Sequence, residues 1–239
     1  KNTLNQSAFI IENFAKNLTL AITGKFENIN YPKNLSVDMI TLIEKFNRLM
    51  TSFNDKVFIN VLNPVAEGYA YITPETMRIG INNFFENILF PVRFSNNLLQ
   101  LKFKNSSEEL GRFLVNTLWG LGGFMDPATK ELDMKAHKED FGQTLGFYGV
   151  GEGFPIVLPF LGPSNVRDIV GLAADSYVNP LTVTGDSDLR YKIPNTFLEQ
   201  VGIQTFDVIN STSLTLGEYE SLRKDALDLY PFLRDIYSQ

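Results

Sequence analysis

Apolar residues recur at steps of three and four along most of this chain, and this spacing constrains the fold more than any other feature. Behind Ser36, a possible helix cap, one apolar stripe consists of Met39, Ile43, Phe46, Met50, Phe53 and Val57. Because an α-helix has 3.6 residues per turn, these side chains share one face and predict an amphipathic helix. The same spacing from Ser7 to Thr23, followed by Gly24, predicts a shorter amphipathic helix near the N-terminus.

Two Xaa-Pro pairs mark the next boundaries. Asn63-Pro64 is predicted to break the long helix. Thr73-Pro74 then supplies a cap followed by a first-turn proline, which predicts that another helix starts there. The inward face of that helix is predicted to consist of Met77, Ile81, Phe84, Phe85 and Ile88.

Later helices are predicted from caps and glycine stops. Ser106 and Glu109 have the spacing of a capping box, and the helix that they open is predicted to end at Gly120. Ser164 is predicted to cap a further helix. The last helices are predicted from Pro194 to about Asn210 and from Thr215 onward.

Glycine and proline interrupt the helical pattern near residues 142–163. They recur there too often for a helix, and the segment from Phe154 to Leu161 is apolar with prolines near both ends. A short hairpin or extended loop is therefore predicted. With no internal repeat and no long linker, the chain is predicted to be all-α or mainly α and to form a single domain.

Composition excludes several classes of function. Lysine and arginine (21) against aspartate and glutamate (27) give a net charge of −6 without a basic cluster, so we expect no nucleic acid partner. The absence of cysteine excludes disulfides, thiolate catalysis and sulfur-ligated metals. The sequence shows no signal peptide at Lys1, and its apolar stretches fall short of the ~20 residues of a spanning helix, so any membrane contact is expected to be partial.

Candidate catalytic residues lack the partners that chemistry needs. His137 is the only histidine and is expected to lie exposed in a loop, so a zinc site would lack its usual nitrogen donors. Asp126 and Asp175 are single carboxylates, for which solvated or capping roles are expected. Asp186-Ser-Asp188 departs from a calcium loop at its later positions. We therefore expect no enzyme, no metal and no cofactor.

Polar residues within apolar surroundings remain to be explained. They comprise Asn82-Asn83-Phe-Phe-Glu-Asn87, Asn96-Asn97, Arg112, Asn116 and Arg167-Asp168. Buried, hydrogen-bonded side chains are one interpretation. The other is an amphipathic passage, in which polar groups contact lipid headgroups while the abundant phenylalanine (20) contacts acyl tails.

Several ordered motifs lie between Phe46 and Pro180. They are Phe46-Asn-Arg-Leu-Met-Thr-Ser-Phe-Asn54, Asn63-Pro-Val-Ala-Glu-Gly-Tyr69, Asn82-Asn-Phe-Phe-Glu-Asn87, Asn97-Leu-Leu-Gln100, Arg112-Phe-Leu-Val-Asn-Thr-Leu-Trp-Gly-Leu-Gly-Gly-Phe-Met-Asp126, Asp140-Phe-Gly-Gln-Thr-Leu-Gly146, Gly149-Val-Gly151, Leu158-Pro-Phe-Leu-Gly-Pro-Ser164 and Arg167-Asp168. In this order they resemble the MlaA/VacJ family, the outer-membrane component that removes misplaced phospholipids. One departure is Thr41-Leu-Ile-Glu44, where the family usually has an acidic residue and proline.

The resemblance implies a ring-like, multi-helix domain over residues 36–239, with 1–35 as an N-terminal amphipathic extension. Such a ring sits in the inner leaflet of the outer membrane, often beside a trimeric porin, and passes phospholipids through an amphipathic channel to a periplasmic carrier. Most members are anchored through an N-terminal cysteine, which this sequence lacks. The expected location is the cell envelope, at the periplasmic face of the outer membrane if lipid-anchored and otherwise soluble in the periplasm.

Combining the resemblance with the Asn and Phe pattern gives a set of lipid-path candidates. They are Phe46, Asn47, Phe53, Asn54, Asn82, Phe84, Asn87, Asn116, Gly120, Gly122, Gly123, Leu158, Pro159, Pro163, Arg167 and Asp168. The glycines are expected to bend the backbone, and Leu158 to Pro163 to form a rigid rim. Arg167 and Asp168 are expected to pair with each other or to orient a headgroup. The competing hypothesis is a lipid-binding structural adaptor that tethers the carrier system without conducting lipid.

Overall fold

The computed structural model describes residues 37–183 and 191–237. The extension 1–35, its predicted helix from Ser7 to Thr23 and the pair Asp186 and Asp188 lie outside these residues. The described part is mainly helical and contains one small antiparallel hairpin, which confirms the predicted fold class.

The helices and strands follow one another in a simple order. They are α1 (Val37–Val57), a π-helical turn (Phe58–Leu62), α2 (Asn63–Ile72), α3 (Glu75–Ile88), α4 (Phe90–Leu99), α5 (Phe103–Leu118), α6 (Pro127–Lys130), α7 (Phe141–Phe147), β1 (Pro155–Leu158), β2 (Gly162–Asn165), α8 (Val166–Val178), α9 (Phe197–Leu214), α10 (Glu218–Asp225) and α11 (Leu229–Tyr237).

The predicted break at Asn63-Pro64 is wrong, because the chain stays helical from α1 through α2. A π-helical turn joins the two helices, and the Asn63 N–H donates to the carbonyl of Phe58, five residues back. Proline clashes with the carbonyl four residues before it in an ordinary α-helix. The wider π-helical turn relieves that clash, so Pro64 fits within the first turn of α2.

The start and the inward face of α3 also differ from the prediction. Thr73 ends α2, and Pro74 occupies the N-cap position without a side-chain hydrogen bond. Phe85 is buried as predicted, but Met77 is 56% exposed. Gly80 and Asn87 are buried instead, because the Gly-rich turn after α5 packs against them.

The predicted capping box of α5 is wrong. The helix begins at Phe103, so Ser106 and Glu109 lie inside it and are both buried. The Ser106 hydroxyl donates to the Phe94 carbonyl of α4 (3.2 Å), and the Glu109 carboxylate accepts from Arg93 (2.7 Å). Both side chains thus join α5 to α4.

The region near 142–163 is partly helical. The hairpin is confirmed, with Ile156 opposite Ser164 in the register of β1 and β2. Glycine nevertheless occurs inside α7, where Asp140 caps the helix by accepting from the Gln143 N–H. Ser164 lies in β2, and Asn165, rather than Ser164, caps α8.

The C-terminal helices follow the prediction with shifted bounds. Thr196 caps α9, which continues four residues beyond the predicted end, to Leu214. The helix predicted from Thr215 onward is divided into α10 and α11 by residues 226–228. α11 packs against α1 and β2.

The helices contact one another in a closed circuit. α1 packs on β1, β2 on α8, α8 on α4, α4 on α3, α3 on α9, and α9 on α2, which is continuous with α1. α5 and α7 brace the circuit by packing against α4 and α8. This order of contacts fits the ring-like arrangement that the resemblance implies.

The contact between α7 and α8 gives a test of this packing. A Cβ added at Gly171 would lie 2.8 Å from the Cα of Gly142, which is too close for real atoms. Gly171→Ala is therefore expected to lower the free energy of unfolding by about 1–3 kcal/mol. Gly202→Ala in α9, where nothing lies within 4 Å, should raise it by up to about 1 kcal/mol. Urea unfolding measures both, and an unchanged Gly171→Ala variant would contradict the described packing.

Candidate functional site

Among the described residues, the usual arrangement of apolar side chains inside and polar side chains outside is reversed. Their largest fully buried side chains are polar: Glu109, Asn47, Asn96, Asn97 and Asn210. Large apolar side chains are instead exposed, for example Leu118 (75%), Trp119 (70%) and Phe160 (74%). In water, each exposed side chain of this size lacks the roughly 1.5–3 kcal/mol of stabilisation that its burial would give. Apolar exposure on this scale marks a surface that contacts another apolar phase.

Two asparagines of α1 hold the hairpin. Asn47 and Asn54 are seven residues apart and share a helix face. The Asn47 amide donates to the Pro155 carbonyl (2.8 Å) and accepts from the Val157 N–H (2.8 Å). The Asn54 amide likewise donates to Leu158 (2.9 Å) and accepts from the Phe160 N–H (2.8 Å). α1 thereby supplies hydrogen bonds that a third strand would otherwise give.

The phenylalanines that precede these asparagines remain partly exposed. Phe46 is 45% exposed and Phe53 is 37% exposed. The Phe53 ring meets the ring of Phe160 edge to face, with 5.2 Å between centroids. The predicted rim residues lie on the same hairpin, where Pro159 is exposed and both Leu158 and Pro163 are half-buried. The structure thus brings Phe46, Asn47, Phe53, Asn54, Leu158, Pro159 and Pro163 together as the α1–hairpin group.

A second group surrounds the Gly-rich turn after α5. The Asn87 amide donates to the Thr117 hydroxyl (3.0 Å), and a Cβ at Gly123 would lie 2.7 Å from the same amide nitrogen. The rings of Phe84 and Phe124 lie 5.1 Å apart. This α3–α5 group contains the candidates Asn82, Phe84, Asn87, Asn116, Gly120, Gly122 and Gly123.

Within that group, the glycines allow the turn to pack closely against α3 and α5. A Cβ at Gly120 would lie 2.5 Å from the Met125 carbonyl oxygen. Gly123 is buried and has a positive φ of 102°, whereas Gly122 is exposed at a φ of 74°. Asn82 and Phe84 are half-buried: the Phe84 ring contacts Phe124 of the turn, whereas the Asn82 side chain accepts from Ser211 of α9 (3.4 Å).

Asn116 belongs to a buried polar cluster. Its amide donates to Asp126 (2.8 Å) and accepts from the Ala128 N–H (3.0 Å). Arg112 adds an ion pair with Asp126 (3.2 Å). Burial acts to raise the pKa of Asp126, but hydrogen bonds from Thr129 and Asn116, with the charge of Arg112, hold that pKa below its ordinary value. The predicted capping role of Asp126 is confirmed, since it accepts from the Thr129 N–H.

Arg167 and Asp168 pair with each other, as one of the two expectations had it. The Arg167 Nε donates to Asp168 Oδ1 (3.1 Å). Asp168 also accepts from the Asn165 amide (2.8 Å) and from the Tyr237 hydroxyl (2.7 Å). Burial and the hydrogen bond to Asp168 raise the pKa of Tyr237 to about 12. The pair therefore ties α8 to α11.

Sequence reasoning missed the buried role of Asp175. It is 8% exposed and accepts from the Asn96 amide (2.7 Å) and from the N–H of Phe141, the first residue of α7 (2.9 Å), so the expected solvated role is wrong and it binds a helix N-terminus from a distant element instead. Burial raises the pKa of its carboxyl, although these hydrogen bonds oppose the rise. The signal was present, because Asn96 was identified as a polar residue on an apolar helix and needed a buried partner.

His137 lies in a loop, as predicted, but its ring is only 22% exposed. Its Nε2 lies 2.5 Å from Glu108, and its backbone N–H donates to Glu109 (2.6 Å). The expectation of an exposed ring is thus wrong, because Glu108 of α5 binds the ring and Glu109 of the same helix binds the backbone. Over residues 37–183 and 191–237, no group of three or more potential metal ligands occurs.

None of the described helices is both long and apolar enough to cross a bilayer. A family model described as "MlaA lipoprotein" matches residues 42–239. The chain belongs to the MlaA lipoprotein family. The motifs that carried the resemblance, from Phe46 to Pro180, all fall inside the MlaA match.

Curated MlaA relatives and a solved structure agree with this assignment. The intermembrane phospholipid transport system lipoprotein MlaA of Haemophilus influenzae is 34% identical over 224 residues, covering 92% of this chain and 84% of that protein. Its namesake in Escherichia coli K12 is 32% identical over 200 residues, covering 82% and 75%. A structure described as "Structural basis for maintenance of bacterial outer membrane lipid asymmetry" matches with a TM-score of 0.68 and 32% identity, covering 82% of this chain and 94% of that one.

The α1–hairpin group of this MlaA family member can be tested through Asn47. Asn47→Leu keeps the size of the side chain but leaves the buried Val157 N–H without its acceptor. We expect the free energy of unfolding to fall by about 1–3 kcal/mol, measured by urea titration. Asn60→Leu, at an exposed position of the π-helical turn, is the matched control and should change little. Equal stability of the two variants would contradict a holding role for Asn47.

The Asp126 cluster predicts a pH dependence. Because the folded-state pKa lies below the ordinary value of 3.8, the stabilisation is present above pH 3.8 and is lost as pH falls through the folded-state pKa. Asp126→Asn is expected to cost about 1–3 kcal/mol at neutral pH and less below pH 3.8. Urea unfolding at both pH values checks this, with the exposed Glu131→Gln as control. A cost that is independent of pH would refute the linkage.

Proposed function

We propose that this chain is a non-enzymatic phospholipid translocation component. It removes mislocalised phospholipids from the outer leaflet of the outer membrane and passes them to a periplasmic lipid carrier, which maintains lipid asymmetry. The curated MlaA relatives are named for intermembrane phospholipid transport, and the matching structure concerns outer-membrane lipid asymmetry. Both names support a role of this kind in the cell envelope.

The observation that carries the proposal is the reversed polarity of a closed circuit of helices. Buried amides hold the helices together, and phenylalanine and leucine side chains remain outside the packed contacts. A lipid that slides along such a body meets apolar side chains beside polar ones, and no bond of the lipid has to change. A wall of this kind needs no nucleophile or base.

The lipid-path candidates take two different parts in this proposal. Phe46, Phe53 and Phe84, with the half-buried Asn82, form the wall that acyl tails and headgroups contact. The buried Asn47, Asn87, Asn116, Gly120 and Gly123 form the frame, together with Asn54. Leu158, Pro159 and Pro163 form the rim, Gly122 lies exposed at the turn, and Arg167 with Asp168 fixes the C-terminal helix.

The body is proposed to sit in the inner leaflet of the outer membrane, with its periplasmic side open to the carrier. The absence of a bilayer-crossing helix among the described residues is compatible with a body that enters one leaflet only. A trimeric porin is the partner that the family implies for the outer edge of the ring.

The second candidate function is a lipid-binding structural adaptor that tethers the carrier system. Extensive apolar exposure also suits an adaptor, since it would hold the body in the membrane. The two functions differ in whether lipid crosses the body. Translocation requires that Phe46, Phe53 and Phe84 line a path that lipid follows across the body, whereas tethering requires only that exposed apolar side chains hold the body in the membrane and that the carrier is bound.

Phe46 provides the test. It is 45% exposed, so Phe46→Asp should leave the free energy of unfolding within about 0.5 kcal/mol of the parent. In cells whose only protein of this family is the Phe46→Asp variant, the charge on the wall is expected to leave phospholipid at the cell surface. Phe46→Leu keeps the apolar character and should retain function. The measurement is labelling of surface-exposed phospholipid in intact cells.

Two outcomes would contradict the role proposed for Phe46 as an apolar part of the wall. If folded Phe46→Asp protein supports a normal lipid distribution, the side chain does not face the lipid path. If both variants leave lipid at the surface equally, the defect follows from loss of the ring shape of phenylalanine rather than from the added charge.

A further inference from the structure

A polar cleft of about 470 Å³ lies beside α11, outside both groups of lipid-path candidates. One wall is a single face of α1 formed by Arg48, Thr51, Ser52 and Asp55. The opposite wall is Arg223 of α10 with the segment 226–230, which leads into α11. Because the four residues of α1 span two helical turns, the cleft is about 10 Å long.

The charges of this cleft are arranged as two opposed ion pairs. Arg48 Nη1 lies 2.5 Å from Asp228, and Arg223 Nε lies 2.7 Å from Asp55. Two guanidinium groups against two carboxylates give the lining a formal charge of zero (2 − 2). Such a lining favours a ligand that itself carries one positive and one negative group over a simple anion.

The Arg48–Asp228 pair is easily opened. Both side chains are nearly half exposed, at 44% and 47%, and exposed ion pairs of this kind stabilise a protein little. Glu44, one turn earlier on α1, also accepts from Arg48 (3.2 Å) and keeps the guanidinium near the cleft. A ligand can therefore replace Asp228 as the partner of Arg48, and Arg48 as the partner of Asp228, without disturbing the fold.

Thr51 supplies a hydroxyl that a ligand in the cleft can bind. The residue is only 6% exposed and lines the cleft. Its hydroxyl oxygen is not among the buried side-chain atoms of the described residues that lack a partner, so it is open to the cleft. The amides of Asn47 and Asn54 on either side are satisfied by the hairpin instead.

Tyr230 connects the cleft to an apolar neighbour. Its ring lies under the guanidinium of Arg48, 5.4 Å from the centroid, and its hydroxyl is bound by Asn47 (3.1 Å). The same tyrosine lines a second cleft of about 290 Å³, whose other walls include Ile156, Val157 and Pro163. A polar cleft next to an apolar one suits a molecule with a charged head and an apolar tail.

We propose that the polar cleft binds the headgroup of a zwitterionic phospholipid, with a phosphodiester and a primary ammonium as in phosphoethanolamine. Arg48 and the Thr51 hydroxyl bind the phosphodiester oxygens, and Asp228, released from Arg48, binds the ammonium. This inference rests on the proposed function and adds to it a site that selects the headgroup, distinct from the wall along which the lipid moves.

The test is calorimetric titration of the protein with four probes: glycerophosphoethanolamine, inorganic phosphate, ethanolamine and dihexanoyl phosphatidylethanolamine below its micelle concentration. We expect glycerophosphoethanolamine to bind at least about tenfold more tightly than phosphate or ethanolamine, because only it offers both charges. The short-chain lipid should bind more tightly still, since its tails reach the apolar cleft. Equal affinity for phosphate and glycerophosphoethanolamine would overturn the proposal.

Two variants locate the binding. Thr51→Val removes only the hydroxyl and should weaken glycerophosphoethanolamine binding about fivefold without loss of stability, whereas the exposed Thr76→Val should not. Arg48→Gln should weaken binding about tenfold or more, and Lys45→Gln, which removes the same charge from α1 outside the cleft, should leave it unchanged. Parent-like binding by both Thr51→Val and Arg48→Gln would place the ligand elsewhere.

Failure of this inference and failure of the proposed function give different results. Phe46→Asp is expected to leave the titration with glycerophosphoethanolamine unchanged, because this probe has no acyl tails to reach the wall, while the variant disturbs lipid asymmetry in cells. A normal titration with undisturbed asymmetry in that variant would overturn translocation alone. Disturbed asymmetry without any headgroup binding by the parent protein would overturn the cleft alone.

Discussion

Hydrogen bonds from side-chain amides to the backbone or a side chain of a neighbouring element hold this structure together. Asn47 and Asn54 fix the hairpin to α1, Asn96 joins α4 to Asp175 of α8, and Asn210 donates to the Arg78 carbonyl (3.0 Å) across α9 and α3. An amide can donate and accept at once, so a single side chain satisfies both a buried N–H and a buried carbonyl. Removing one leaves polar groups unpaired, at a cost that apolar packing does not offset.

This construction leaves the apolar side chains for another use. Few large apolar residues of the described chain are buried, and Phe85, Val157 and Leu181 are among them. A body held by polar contacts can expose phenylalanine and leucine to lipid and keep its shape, because its stability does not depend on burying them. In the headgroup cleft proposed beside α11, the water-exposed ion pairs are likewise not needed to hold the fold, so they remain open to a ligand.

Much of the fold and part of the site could be predicted from sequence. Helical spacing identified α1, α3, α5, α8 and α9, and the prolines around Val157 identified the hairpin. The motifs near Phe46 and Arg112 identified the family. Boundaries failed where packing outweighed local preference: Pro64 lies within a helix because a π-helical turn accommodates it, and α7 contains glycine because α8 packs closely on it. The capping box at Ser106 failed because α4 supplies the partners instead.

The helical class, the family and the pairing of asparagine with phenylalanine along the chain all follow from the amino-acid sequence. Those properties depend on local spacing and residue type, which are read along the chain. That Asn47, Asn87 and Asn116 are buried while Phe46 and Phe53 remain exposed depends on the packing of the helices in three dimensions. The choice depends on partners distant in sequence, such as Val157, more than a hundred residues from Asn47, because an amide is buried only where another element offers the groups that satisfy it.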